Sequence, residues 1–102
     1  MKNIKIRFWN GKEMFYRSLF NIESNTSYIG EPMLFTGLFD KHKKEIYEGD
    51  LLKLPSGVVG EVVYHTERSG YIFHCKNFYN EMLYQKSIIE VIGNIYENSE
   101  LL

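Results

Sequence analysis

The sequence predicts one small, mainly β domain. Its 102 residues suffice for one hydrophobic core and are too few for two. Aromatic residues make up 16% of the chain, a high share that favours pleated surfaces and interfaces. Short apolar runs follow one another at close spacing and are joined by turn-forming residues. We therefore expect short strands arranged as a small barrel or sandwich.

An N-terminal hairpin is the first predicted element. Residues 3–9 alternate, as a half-buried strand does. The alternation places three side chains on each face, with Ile4, Ile6 and Phe8 opposed to Lys5, Arg7 and Trp9. Asn10-Gly11 suits a two-residue type I′ turn, because both residues tolerate positive φ angles. Residues 14–20 then supply an aromatic-rich second strand.

The middle of the chain contains the sharpest predicted turn. Residues 21–32 are polar, lack a sustained period and predict a loop, and a new apolar segment begins at residue 33. A charged turn over 40–45 leads to Tyr47-Glu48-Gly49-Asp50, which needs the permissive backbone of glycine. We expect Asp50 to bond the backbone amides that this reversal leaves unpaired, as a structural role and not an acid–base role.

The second half is predicted to hold four further strands, at residues 51–54, 58–64, 71–75 and 88–96. Pro55-Ser56-Gly57 predicts a turn, and Gly60 predicts a bulge or a close backbone approach. Residues 77–86 fit either a strand or a short helical turn. Gly49-Asp50 followed by an apolar pair and Gly57 also occurs in SH3-like barrels. We therefore expect an SH3-like small barrel at about residues 33–102, preceded by an N-terminal β-hairpin and loop over residues 1–32.

Composition excludes several classes of function. Twelve Lys and Arg residues against thirteen Asp and Glu residues give a formal net charge of −1, so no global field attracts nucleic acid or an anionic membrane. A single cysteine, Cys75, excludes an intrachain disulfide and suits a cytoplasmic protein. No apolar run approaches the roughly 18–20 residues of a membrane span, and the N-terminus does not read as a signal peptide.

Two long blocks and the N-terminus carry a family resemblance. The blocks are residues 35–41 with 44–53, and residues 89–98 with 100–102; the N-terminal part is residues 4–9 with 11–14. Together they closely resemble the YopX family of phage and prophage proteins. The resemblance implies a single YopX-like domain over residues 1–102, with an SH3-like barrel in its C-terminal part. It implies no catalytic residues and no biochemical role.

The chain departs from the family pattern in two places. His42-Lys43 stands where the family often has an Asn-Gly turn, so this turn must be of another kind. Residues 66–87 show no recognisable similarity to the family. A partner-specific surface is expected in this variable stretch.

No residue cluster predicts a catalytic, metal or cofactor site. His42, His65 and His74 lack the spacing of metal ligands, and a cysteine on a strand is more often a small buried residue than a nucleophile. A catalytic Cys75 would require His65 or His74 within hydrogen-bond distance. Phosphate-binding glycine motifs are absent from the sequence.

The expected function is that of a non-catalytic phage or prophage accessory protein, which acts by protein binding or self-assembly as a homo-oligomer. A phage protein or a host protein is the other expected partner. The predicted binding surface consists of Trp9, Tyr64, Arg68, Tyr71, Lys76 and Tyr79. The first alternative is binding of single-stranded DNA or RNA, because rings and cations occur together in this set. The second is a small enzyme or enzyme subunit whose site lies between chains.

Overall fold

A computed structural model describes residues 4–18, 29–75, 80–82 and 89–102. In these ranges the chain is built from antiparallel strands, which confirms the mainly β class. The first sheet has the strand order β2-β1-β3-β4 and the second has the order β8-β7-β6-β5-β9. The first sheet contains β1 (Lys5–Trp9), β2 (Met14–Ser18), β3 (Ile29–Phe39) and β4 (Glu45–Tyr47). The second contains β5 (Asp50–Lys53), β6 (Val59–His65), β7 (Gly70–His74), β8 (Asn80–Met82) and β9 (Glu90–Asn94).

In the described ranges the strands form two sheets and do not close into a barrel. Strand β3 is eleven residues long and pairs with β1 and with β4, so the N-terminal hairpin becomes part of a sheet. A boundary at residue 33 would cut this strand and separate the hairpin from its sheet. The second sheet does retain the expected return of the chain, because the last strand, β9, pairs antiparallel with β5. A short 3-10 helix, Ser99–Leu101, follows it.

The N-terminal hairpin is confirmed, but its turn is not of type I′. Trp9 pairs with Met14, so the loop between the strands has four residues. The side chain of Asn10 accepts hydrogen bonds from the amides of Lys12 and Glu13 at 2.9 and 2.8 Å. The side chain of Asn10 therefore stabilises the turn, and Asn10 does not need the positive φ of a type I′ turn.

Of three other predictions, two need adjustment and one is confirmed. Strand β3 begins at Ile29, inside the loop predicted for residues 21–32, and residues 19–28 lie outside the described ranges. Within the ambiguous stretch 77–86, β8 is a strand, and the rest of that stretch is not described. The close approach predicted at Gly60 is confirmed, since a Cβ there would lie 2.8 Å from the ring of Phe73.

The main core lies on one face of the second sheet. Its buried members are Ile46, Leu52, Val62, Phe73, Cys75 and Ile89. Ile46 belongs to the first sheet, so this cluster joins the two sheets by apolar contact. Within the described part of the chain, no helix is long and apolar enough to cross a membrane.

Asp40 fixes the turn between β3 and β4 and attaches it to β9. Its Oδ1 atom accepts hydrogen bonds from the amides of His42 and Lys44, and its Oδ2 atom accepts one from the amide of Val91 at 3.0 Å. This replaces the missing Asn-Gly turn, and Lys43 takes a positive φ of 64°. Burial alone would raise the pKa of Asp40, but the three amides outweigh it and the pKa is lowered.

We expect Asp40 to contribute to stability at neutral pH and to lose that contribution in acid. A carboxyl group with a lowered folded-state pKa stabilises the fold above its unfolded pKa of about 3.8, and the contribution disappears as the pH falls through the folded value. Asp40→Asn should destabilise the protein at pH 7 by about 1–3 kcal/mol, because one amide loses its acceptor. Urea unfolding at pH 7 and below pH 4 measures both effects. Equal acid sensitivity in the wild type and in Asp40→Asn would contradict this assignment.

We expect Gly49→Ala to be more destabilising than Gly57→Ala. Both glycines have positive φ, +83° and +94°, so each substitution costs about 1–2 kcal/mol in backbone strain. A Cβ at Gly49 would also lie 2.9 Å from Sδ of Met33, whereas a Cβ at Gly57 meets no atom within 4 Å. The contact should add about 1–3 kcal/mol at residue 49 alone. Equal urea midpoints for Gly49→Ala and Gly57→Ala would contradict this expectation, because they would show that Met33 moves aside without loss of stability.

A candidate binding groove beside the Glu48–Gly49 turn

A buried ion pair fixes the turn between the two sheets. Nη1 of Arg7 lies 2.8 Å from Oδ1 of Asp50, and both side chains are almost fully buried. Oδ2 of Asp50 accepts a hydrogen bond from the amide of Tyr47 at 2.8 Å, which is the structural role expected for this carboxylate. Burial raises the pKa of Asp50, while Arg7 and the Tyr47 amide act in the opposite direction. The Asp50 carboxylate therefore binds Arg7 of β1 with one oxygen and closes the turn onto the amide of Tyr47 with the other.

Strand β1 was predicted to be half-buried, but Arg7, on the face opposite Ile6 and Phe8, is buried as well. Strand β1 is flanked by β2 and β3, and its residues Ile6, Arg7 and Phe8 are only 4%, 2% and 4% exposed. Nη2 of Arg7 donates to the carbonyl oxygen of Glu48 at 2.8 Å, and the guanidinium lies 5.0 Å from the centre of the Tyr47 ring. Its Nε is buried without a hydrogen-bond partner among the described residues.

Glu48 is held in a defined position by strand β3. Its amide donates to the carbonyl oxygen of Leu34, and its Oε1 atom accepts a hydrogen bond from the amide of Leu34, both at 3.0 Å. The neighbouring Gly49 donates to the carbonyl oxygen of Val62 and accepts from the amide of Ile95. The backbone and the carboxylate of this turn are therefore ordered by three separate strands or turns.

A groove of about 210 Å³ opens beside this turn. Its lining includes Pro32, Met33, Glu48, Glu61, Tyr64 and Tyr96. Glu48 and Glu61 are the charged residues in the lining, so the groove carries two formal negative charges and no positive one among the described residues. A surface of rings and carboxylates can accept apolar and cationic groups, and it repels anions.

Aromatic pairs flank the groove on two sides. Trp9 stacks on Tyr96, with ring centres 5.5 Å apart and an interplanar angle of 14°. Tyr64, which is 50% exposed, contacts Tyr71 edge to face at 5.3 Å. Burial raises the pKa of Tyr71, and the charges of Glu48 and Tyr64 raise it further. Of the predicted surface residues, Tyr64 lines the groove, and Trp9 and Tyr71 each contact a ring that lines it.

The remaining members of the predicted surface lie elsewhere or are not described. Arg68 belongs to the exposed turn between β6 and β7, where its amide donates to Nδ1 of His65 at 3.3 Å. Lys76 and Tyr79 fall outside the described ranges. Glu48, Glu61 and Tyr96 were not predicted as surface residues. Glu61 lies three residues before Tyr64 on β6, whereas Glu48 and Tyr96 are distant in sequence and are brought to the groove by the sheet topology.

The residues considered for chemistry are not brought together by the described strands. His65 and Cys75 are at opposite ends of the β6–β7 hairpin, since His65 pairs with Gly70 and His74 pairs with Glu61. Cys75 belongs to the apolar core. His42 lies 3.5 Å from a carboxylate oxygen of Glu90 at the surface. Among the described residues no three potential metal ligands converge.

A second cleft, of about 240 Å³, lies between the sheets, but its polar groups bind one another. Besides Arg7 and Asp50, it is lined by Glu45, Tyr47, Asn94 and Glu97. The hydroxyl of Tyr47 donates to Glu45 at 3.3 Å, and the amide group of Asn94 donates to Glu97 at 2.9 Å. Because these groups satisfy one another, the groove beside Glu48 is the better candidate for binding an external group.

A family model described as YopX protein matches residues 12–102. No curated protein matches the chain. The match covers nearly the whole chain and includes the turn, both carboxylates of the groove and Tyr64, Tyr71 and Tyr96.

We expect the Arg7–Asp50 pair to behave as one unit in a double-mutant cycle. Arg7→Met or Asp50→Asn alone should destabilise the protein by about 3–5 kcal/mol, since each leaves a buried polar partner uncompensated. In the Arg7→Met/Asp50→Asn double variant no buried charge remains, and the asparagine oxygen can still accept from Tyr47. The double variant should therefore be destabilised by less than the sum of the single variants. Additive free energies of unfolding would show that the pair is not coupled.

Proposed function

The chain belongs to the YopX family, and from this premise we propose that it is a non-catalytic phage or prophage accessory protein that acts by binding another protein. The observation that carries the proposal is the groove between Tyr64 and Tyr96, whose aromatic pairs are partly exposed on an ordered scaffold. Tyrosine and tryptophan are enriched at protein interfaces, where they supply large contact areas at low entropic cost. A bacterial cytoplasm suits a chain with a single, buried cysteine.

The size of the groove favours a protein partner over a small-molecule ligand. Pockets that enclose a drug-sized molecule measure about 300–1,000 Å³. At about 210 Å³ the groove is smaller, and it matches one side chain supplied by a larger surface. That partner is a phage protein, a host protein or a second copy of this chain.

Nucleic-acid binding has less support from the same surface. Phosphate neutralisation requires Lys and Arg side chains, whereas Glu48 and Glu61 are the charged residues that line the groove. Arg68 is the one predicted cation of this surface that lies in the described ranges. An enzymatic function between chains would require partner residues beside His65, His74 or Cys75, and the described hairpin separates His65 from Cys75.

Affinity capture from cells that carry the phage or prophage should identify the partner and locate its contact. We expect the wild type and Tyr16→Ser to retain the same protein, and Tyr64→Ser to lose most of it. Tyr16 is a matched control, because it is 51% exposed and pairs with Arg7 in the other sheet. Full retention by Tyr64→Ser would contradict a role for the groove.

Size exclusion with light scattering covers the case in which the partner is a second copy. An assembly that forms in the wild type and in Tyr16→Ser but dissociates in Tyr64→Ser would identify the groove as the self-contact. An assembly that persists in Tyr64→Ser is built on another surface.

A further inference from the structure

We infer that the groove recognises a cationic side chain, arginine or lysine, presented by the partner protein. The inference rests on the proposed function and specifies the chemistry of the partner. Its basis is charge complementarity: the described lining contains the carboxylates of Glu48 and Glu61 together with Tyr64 and Tyr96, and it contains no positive group.

Glu48 is preorganised for this role. Its Oε1 atom is held by the amide of Leu34 at 3.0 Å, and its carbonyl oxygen is held by Arg7 at 2.8 Å. Arg7 does not neutralise the Glu48 carboxylate, because its Nη1 is paired with Asp50 and its Nη2 bonds a backbone oxygen. A carboxylate fixed in this way loses little conformational entropy when a cation binds.

Glu61 adds a second negative charge that is partly withdrawn from water. Burial raises its pKa above the ordinary value, and the charge of His74 acts in the opposite direction. A carboxylate in partly desolvated surroundings gains more from an incoming cation than an exposed one does. The negative charge of Glu61 and its partial burial therefore both favour a cationic ligand.

The rings complete the recognition of a cation. Tyr64 is half exposed, and Trp9 packs against Tyr96 and supports its ring. Guanidinium and ammonium groups are attracted to the faces of such rings, and a planar guanidinium also stacks on them. A neutral apolar side chain would use the rings but would leave the carboxylates without a counter-ion.

The inference can be tested with blocked peptides and the protein's own fluorescence. Trp9 is the only tryptophan of the chain and stacks on a residue of the groove, so its emission reports on binding there. The probes are Gly-Ser-Arg-Ser-Gly and the same peptide with citrulline in place of arginine, which keeps the shape and removes the charge. We expect the arginine peptide to bind about tenfold more tightly at low salt, and this preference should weaken as salt is added.

Matched variants separate charge from shape. Glu48→Gln retains the oxygen that accepts from Leu34, and Glu61→Gln has nearly the same volume as the wild-type side chain. The double variant should bind the arginine and citrulline peptides equally, whereas Tyr64→Phe, which keeps its ring, should retain the wild-type preference. Circular dichroism establishes that each variant is folded.

The results distinguish failure of this inference from failure of the proposed function. Equal binding of the two peptides by the wild type, or no binding of either at their solubility limit, overturns cation recognition. In the capture experiment, a further outcome is that Tyr64→Ser loses the partner while the Glu48→Gln/Glu61→Gln double variant keeps it. That result also overturns cation recognition, but the groove then remains a protein-binding site. If Tyr64→Ser keeps the partner, the proposed function fails. A preference for an oligonucleotide over the arginine peptide would overturn both.

Discussion

The buried pair of Arg7 and Asp50 is the interaction on which the arrangement of the two sheets depends. It joins the central part of the first sheet to the first residue of β5, at the point where the chain passes from one sheet to the other. The same guanidinium holds the carbonyl oxygen of Glu48, and the same carboxylate holds the amide of Tyr47. Burying two charges is costly, and these additional hydrogen bonds offset part of that cost. Arg7 Nε has no partner among the described residues, so the compensation is incomplete.

Sequence patterns predicted where the strands lie better than how the strands pair into sheets. The N-terminal hairpin and the strands on either side of Pro55-Ser56-Gly57 follow from local alternation and turn chemistry, which act over a few residues. The division into two sheets depends on β3, whose eleven residues reach two neighbours. Alternation placed Arg7 opposite Ile6 and Phe8 but did not predict its burial, because a period of two reveals which residues share a face and not which partner will cover them.

The candidate groove was predictable only in part, for a related reason. An aromatic-rich hairpin is visible in the sequence, so Tyr64 and Tyr71 could be proposed as surface residues. Glu61 lies on the same strand as Tyr64, but Glu48 belongs to the turn before β5 and Tyr96 follows β9. Their meeting depends on Gly49, which bonds both Val62 and Ile95 through its backbone. A turn that seemed to serve structure alone therefore also builds one wall of the groove.

The position of Arg7 in the hairpin also bears on how such chains can exchange segments. The hairpin carries the cation and the turn 43 residues later carries its counter-ion, so neither segment holds a complete pair. A recombination event between the hairpin and the second sheet would separate two halves of one electrostatic unit. A chimera that supplied only one of the two partners would leave a buried charge uncompensated, at a cost of about 3–5 kcal/mol. Exchange of the hairpin between related chains should therefore cost least when residues 7 and 50 are exchanged together.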